Sequence, residues 1–137
     1  MGTGYGFTCS NCGYEKELME GQGFAVRDQF IKEYLEDPSF NFHPKTHRKM
    51  EQLAEINEFL EIHCEYQTWY CEHCNFPFTK LYVEVSDNQK IYHRSHFSCS
   101  RCNRPLMQTE IMMMEVFRCP KCLHETLKFN GSDICWD

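Results

Sequence analysis

Four short cysteine pairs of the form Cys-x-x-Cys are the residues of this chain best suited to chemistry. Two cysteines separated by two residues let one tight turn present both thiolates to a single metal ion, and zinc in a structural site takes four such ligands. The four pairs therefore predict two structural zinc ions per chain. The eight predicted ligands are Cys9, Cys12, Cys71, Cys74, Cys99, Cys102, Cys119 and Cys122.

The residue that follows each pair gives a second, independent indication of metal binding. In a metal-binding turn this residue tends to adopt a positive φ, which glycine takes freely and asparagine takes more readily than most residues. The four residues in question are Gly13, Asn75, Asn103 and Leu123. Three of the four therefore fit the turn, and spacing alone would not have provided this check.

Length and composition limit the class of protein. The 137 residues, with a mass of 16.4 kDa, favour one compact domain or two very small ones. Hydrophobic residues make up 42% of the chain, too many for a disordered tail, yet no apolar run approaches the roughly 18 residues of a membrane span. The N-terminus lacks the pattern of a signal peptide, so we expect a cytoplasmic protein without membrane contact. Thiols stay reduced there, which favours metal ligands over disulfides.

The elements that position the cysteines differ along the chain. The 58 residues between the first two pairs carry apolar residues at helical spacing, which predicts helices over 26–36 and 46–63. Pro38 follows the first helix and Thr46 is the predicted N-cap of the second. Beyond Cys74 the pattern alternates, which predicts a hairpin that turns at Asp87-Asn88.

Two further stretches near the C-terminus read as β-structure. Residues 106–117 predict strands that turn near Gln108-Thr109, and the last residues predict a short hairpin across Asn130-Gly131, a pair favoured in type I′ turns. The predicted fold class is therefore α+β, with two zinc ribbons built from β-hairpins and an inserted helical pair at about 24–65.

The cysteine turns and hairpins together resemble the zinc ribbon family, whose metal-binding knuckle is shared with rubredoxin. The C-terminal stretch from FSCSRCNRPL to FRCPKCLHETL resembles a single ribbon with a 16-residue gap. The first knuckle, Cys9-Ser10-Asn11-Cys12-Gly13-Tyr14, is similar to the Cys-x-x-Cys-Gly-Tyr of rubredoxin. The resemblance implies structural zinc, with rubredoxin-like iron and electron transfer as a lower-ranked alternative.

Three arrangements of the four knuckles are open. Consecutive pairing joins the knuckles at 9–12 and 71–74, and those at 99–102 and 119–122; we predict this one. It divides the chain into a first ribbon over 1–87 and a second over 88–137. The nested alternative joins 71–74 to 99–102 and 9–12 to 119–122, and the interleaved one joins the first knuckle to the third. Loop-closure entropy grows too slowly with length to reject any of them.

Several other metal-binding side chains stand near the knuckles. His73, His93 and His96 are able to replace a thiolate, but the set of eight is already complete, so we expect them exposed or around the ligands. Cys64 and Cys135 lie outside the pattern, and we expect both to be buried, inert packing residues.

Charge indicates the class of partner. The chain has a formal charge of −6, with 7 basic and 15 acidic side chains in residues 1–87. We therefore predict a non-enzymatic zinc-binding adaptor or regulator that binds a protein, or a second copy of itself, through an exposed apolar strip around Phe24, Phe30 and Tyr34. The alternative is a nucleic-acid-binding or transcription-associated module whose basic contacts are Arg94, Arg101, Arg104, Arg118 and Lys121.

Overall fold

The structure is a computed structural model, and it describes residues 2–23, 26–37, 41–111 and 116–136. Within these ranges the chain forms mostly β-strands with two short helices, so the α+β fold class is confirmed. No helix of the described residues is long and apolar enough to cross a membrane. The elements are β1 (Gly2–Cys9), β2 (Glu15–Gly21), β3 (Gln29–Phe30), α1 (Ile31–Glu36), α2 (Pro44–Ile56), β4 (Glu61–Tyr70), β5 (Pro77–Ser86), β6 (Ile91–Arg94), β7 (Met107–Thr109) and β8 (Leu127–Trp136).

The chain divides into two compact units that do not follow the predicted boundary at residue 87. The first unit combines Met1–Gly21, Tyr66–Leu81 and His96–Asp137, and the second combines Gln22–Glu65 with Tyr82–Ser95. Each unit is thus discontinuous in sequence. The first unit contains all four cysteine pairs, whereas the predicted division places two in each half.

In the first unit the antiparallel strand order is β8-β1-β2 followed by Tyr66–Tyr70 of β4, and β7 pairs with the same part of β4. Its buried apolar side chains form two clusters. One surrounds Phe7, Leu18 and Phe117, and the other surrounds Phe76 and Leu106. Each cluster also includes buried cysteines, so the hydrophobic core and the predicted metal ligands are part of the same packing.

The C-terminal residues differ from the predicted hairpin. Residues 127–136 form the single strand β8, which pairs with β1 along most of its length. The register shifts between Phe7↔Phe129 and Tyr5↔Asp133, and Gly131 lies there with a φ of 88°. The Asn130-Gly131 signal therefore marks a bulge and not a turn, because pairing with β1 outweighs the local preference for a hairpin.

The second unit holds both helices, β3 paired with the first residues of β4, and β6 paired with the last residues of β5. The predicted first helix begins late, at Ile31, because Gln29 and Phe30 pair with β4 instead. The predicted second helix begins early and ends early. His43, not Thr46, is its N-cap, with Pro44 in the first turn, where proline's fixed φ suits a helix start.

Strand pairing also explains the early end of α2. Glu61 and Ile62 fall within the predicted helix, yet they belong to β4 and pair with Phe30 and Gln29 of β3. The hairpin predicted at Asp87-Asn88 is confirmed, since the Asp87 carboxylate accepts hydrogen bonds from the backbone of Gln89 and Lys90. The turn predicted near Gln108-Thr109 is wrong, because both residues lie within β7; residues 112–115 of that stretch lie outside the described ranges.

The predicted apolar strip is only partly present. Tyr34 is fully buried, stacks on Phe42 at 4.5 Å between ring centroids, and its hydroxyl bonds to His47 Nδ1. Phe30 remains 38% exposed, and its ring meets the more exposed ring of Phe59. Phe24 lies outside the described residues. The exposed aromatic pair of the second unit is therefore Phe30 and Phe59.

Candidate metal centre

The eight predicted ligands form two groups of four within the first unit. The sulfur atoms of each group all lie within 4.8 Å of one another. We call Cys9, Cys12, Cys119 and Cys122 the terminal site, and Cys71, Cys74, Cys99 and Cys102 the internal site. Both sites thus have the four-thiolate composition expected for zinc.

The grouping is the nested arrangement, so the predicted consecutive pairing is wrong. The reason lies in the strands: β1 ends at Cys9, and its register with β8 pairs Cys9 with Leu127. This long-range pairing brings the knuckle after β1 beside the knuckle that precedes β8. The resemblance of residues 97–127 to a single ribbon is corrected in the same way, because its two knuckles belong to different sites.

All four knuckles have the same backbone geometry. In each, the N–H of the residue after the second cysteine donates to the carbonyl of the first cysteine, over 2.6 to 3.0 Å. In each, the N–H of the first cysteine also donates to the carbonyl of the residue five positions later, as from Cys9 to Tyr14 and from Cys119 to His124. The predicted positive φ is confirmed at Gly13, Asn75 and Asn103, and Leu123 adopts it as well, at 65°.

The spacing of the sulfur atoms fits zinc. Four sulfurs at about 2.3 Å from one ion form a tetrahedron with edges of about 3.8 Å. The Sγ atoms of Cys9 and Cys122 are 3.6 Å apart, as are those of Cys12 and Cys119, and the Cys71–Cys102 distance is 3.5 Å. The two sites therefore account for two zinc ions per chain.

Polar groups around the terminal site favour the thiolate forms of Cys9 and Cys122. The Thr126 hydroxyl lies 3.0 Å from Cys9 Sγ, and backbone N–H groups of Asn11 and Cys12 point to the same sulfur. The side chain of Asn11 and the backbone N–H of His124 lower the pKa of Cys122 to about 5. A lowered thiol pKa favours the thiolate, which is the form that binds metal.

Apolar side chains pack around the internal site. Phe76 and Leu106 pack with its cysteines, and burial with a neighbouring thiol raises the pKa of Cys74 to about 12. Burial acts in the same direction on Cys99, but the N–H groups of Cys102 and Arg101 outweigh it and lower the pKa of Cys99 to about 7. Zinc binding must displace the remaining protons, so it is accompanied by proton release.

Hydrogen bonds connect the two sites inside the first unit. Asn75, which follows the Cys71–Cys74 pair, accepts from the backbone N–H of Arg118 over 2.8 Å, directly before Cys119. Arg101, between Cys99 and Cys102, stacks on Phe76 at 4.3 Å and donates to the Pro120 carbonyl. Each site is therefore held partly by residues of the other site's knuckles.

The remaining candidate ligands stay outside both groups. His73 and His96 are exposed, as expected, and His93 is partly buried. Cys64 is buried, with burial raising its pKa to about 11, which fits an inert thiol. Cys135 is exposed, so the expectation that it is buried is wrong.

Sequence reasoning missed three residues around the terminal site: Asn11, His124 and Thr126. The Asn11 side chain donates to His124 Nδ1 over 3.1 Å, and Thr126 contacts Cys9. Their one signal in sequence was proximity to a knuckle. Proximity alone did not predict these contacts, because the Cys9–Cys12 and Cys119–Cys122 knuckles were assigned to different ions.

Comparison with known proteins gives one match. The family model of the LIM domain matches residues 71–127, which is less than half of the chain. The matched stretch is similar to a LIM domain and contains the whole internal site, together with Cys119 and Cys122. Cys9 and Cys12, which complete the terminal site, lie outside it. No curated protein and no solved structure matches the chain.

Proposed function

We propose that this chain is a non-enzymatic adaptor that uses two zinc ions to hold a surface for binding another protein. The observation that carries the proposal is the closure of both sites. Each has four cysteine ligands, and a zinc ion with four thiolates has no position left for water or a substrate. Zinc in such sites stabilises the fold and does not catalyse hydrolysis.

The similarity to a LIM domain supports the same class of function. LIM domains are zinc-binding modules of protein interaction, and the match at residues 71–127 spans the internal site. The proposal of a protein partner therefore has support beyond the acidic composition of the chain. Binding to a second copy of the chain is one form of this proposal. We also propose a cytoplasmic location, where unpaired thiols stay reduced.

The side chains proposed for nucleic-acid contact are partly engaged elsewhere. Arg94 pairs with Glu84 in the second unit, and in the first unit Arg118 pairs with Glu125. Arg101 is stacked on Phe76. Arg104 and Lys121 make no ion pair with the described residues, so they are the basic side chains best placed for an external phosphate.

The test uses the full, zinc-loaded chain as bait in nuclease-treated lysate, with the chelated chain as the matched control. We expect at least one protein to be retained by the zinc-loaded chain only. In parallel, fluorescence anisotropy at low salt measures binding to a mixed-sequence oligonucleotide, with Arg104→Glu/Lys121→Glu as the comparison.

Besides a zinc-loaded chain that retains no protein, two results would contradict the adaptor proposal. One is micromolar oligonucleotide binding that the double Glu variant abolishes and that weakens steeply with salt. The other is a preparation containing iron instead of zinc, which would favour the electron-carrier alternative.

A further inference from the structure

We propose that a cavity in the second unit binds an arginine side chain of a partner protein. The cavity has a volume of about 340 Å³ and is bordered by β3, the start of α1 and the start of β4. The proposal rests on the protein-binding function and specifies the chemistry of the partner. It is carried by four residues that line the cavity: Gln29, Phe30, Glu33 and Glu61.

The charge of the cavity favours a cation. Asp28, Glu33 and Glu61 line it together with His63, whose ring is paired with Asp28, and none of its lining residues is Lys or Arg. Asp28 is already engaged, since its Oδ1 accepts from Gln22 and lies 2.7 Å from His63 Nδ1. Glu33 and Glu61 make no side-chain hydrogen bond or ion pair with the part of the chain that is described. Two carboxylates therefore remain for an external partner.

Gln29 is the second, independent observation. Its residue is only 7% exposed and it lines the cavity, yet its side chain makes no hydrogen bond with any residue in the described ranges. The amide oxygen is therefore open to a donor that a ligand in the cavity supplies, and a hydrogen bond from a charged donor is stronger than one between neutral groups. The position of the Gln29 amide is therefore evidence that does not depend on the acidic residues of the cavity.

The aromatic ring beside these groups fits the flat face of a guanidinium. Phe30 lines the cavity and is 38% exposed. Its neighbour Phe59 already has Lys32 Nζ 5.6 Å from its ring centroid, so Phe30 is the ring left for an incoming cation. Arginine stacks on aromatic faces and offers five donors in a rigid plane, whereas lysine is a strongly hydrated point charge.

The experiment is a titration of the full, zinc-loaded, ¹⁵N-labelled chain with a short synthetic peptide. The probe is acetyl-Gly-Leu-Arg-Leu-Gly-amide, and the matched control peptide carries citrulline, a neutral isostere, in place of arginine. We expect amide shifts at residues 29–33 and 61–63, with an apparent Kd about fivefold or more weaker for the citrulline peptide. A lysine peptide should also bind more weakly.

Variants test the assignment of residues. The double substitution Glu33→Gln/Glu61→Gln should raise the Kd for the arginine peptide by about fivefold or more. Glu36→Gln/Glu55→Gln removes the same charge from exposed positions that do not line the cavity and should leave the Kd unchanged. Equal binding of the arginine and citrulline peptides, equal binding of the lysine peptide, or equal loss in both double variants would overturn the proposal.

Failure here is distinguishable from failure of the adaptor function. If the peptide does not bind while the zinc-dependent protein partner is still captured, the cavity proposal is wrong and the adaptor proposal stands. If the peptide binds as expected but no protein is retained by the zinc-loaded chain, the adaptor proposal fails and the arginine-binding cavity remains.

Discussion

Leu123 is the residue of the metal-binding turns that fits its position least well. It has a φ of 65° and is 55% exposed, whereas the equivalent residues of the other knuckles are glycine or asparagine. In this conformation the Cβ of an ordinary L-residue lies too close to a carbonyl oxygen, at a cost of about 1–2 kcal/mol. An exposed leucine gains little burial to offset that cost.

Replacing Leu123 by glycine should therefore stabilise the zinc-loaded chain. We expect Leu123→Gly to raise the free energy of unfolding by about 1 kcal/mol, measured by denaturation at a fixed free zinc concentration. Asn103→Gly is the matched control, with a smaller expected gain because asparagine tolerates positive φ better. A loss of stability in Leu123→Gly would show that the leucine side chain makes a contact that outweighs the backbone strain.

His63 links stability of the second unit to pH. It lies 2.7 Å from Asp28 and 3.6 Å from Glu65. Burial lowers its pKa, but the hydrogen bond and charge of Asp28, with Glu65, outweigh burial and raise the pKa above 6.5. A raised histidine pKa means that the protonated form is favoured in the folded chain, so the contribution is complete below pH 6.5 and is lost as pH rises through the folded pKa.

The pH prediction concerns the difference in the free energy of unfolding between the wild type and His63→Gln. Unfolding of the wild type and of His63→Gln, followed from pH 6 to pH 8.5, should show a stability difference that is largest at pH 6 and shrinks at higher pH. Asp28→Asn should remove most of this dependence. A difference that is flat or that grows with pH would contradict the ion pair.

At the scale of elements, the pairing of β1 with β8 decides which cysteines share an ion. Both strands are in the first unit, and Thr8 pairs with Lys128 directly before Cys9 pairs with Leu127. The side chain of Trp136 in β8 occupies the space beside Gly2 of β1, and the side chain of Ser132 occupies the space beside Gly6. The close approach of the two strands thus depends on residues without side chains at these positions.

Pairs of cysteine substitutions test the nested arrangement directly. Native mass spectrometry should find one zinc in Cys12→Ser and also one zinc in Cys12→Ser/Cys122→Ser, because both residues bind the same ion. Cys12→Ser/Cys74→Ser should hold none, since it damages both sites. Consecutive pairing reverses the two outcomes for the double variants. Cys64→Ser and Cys135→Ser serve as controls and should each retain two zinc ions.

At the scale of the whole molecule, the two zinc ions dominate stability. A structural zinc site contributes on the order of 10 kcal/mol to folding of a small domain, while the net stability of a whole protein is about 5–15 kcal/mol. All eight ligands are in the first unit. Its strands therefore cannot remain folded by apolar packing alone when both ions are removed.

Chelation should unfold the first unit reversibly. Elemental analysis should find two zinc ions per chain, and a high-affinity chelator should collapse the amide dispersion of first-unit residues in a ¹⁵N correlation spectrum. Addition of zinc should restore the spectrum. A chelated chain that keeps the dispersed signals of β1, β2 and β8 would show that the zinc ions are dispensable for this fold.

The sequence was sufficient for whatever depends on a few neighbouring residues. A knuckle closes its hydrogen bonds within six residues, so cysteine spacing and the following glycine or asparagine predicted the eight ligands, the number of four-thiolate sites and three of the four positive φ values. The hairpin at Asp87 was predictable for the same reason, because its turn is held by the carboxylate of Asp87 itself.

The tertiary structure alone decided which knuckles meet, where α2 ends and that Asn130-Gly131 is a bulge. Each depends on pairing between distant strands: β1 with β8, and β3 with β4. Loop-closure entropy varies only with the logarithm of loop length, so spacing along the chain barely separates one knuckle pairing from another. The choice comes from the packing of apolar faces such as Phe7 against Phe117, which no local pattern specifies.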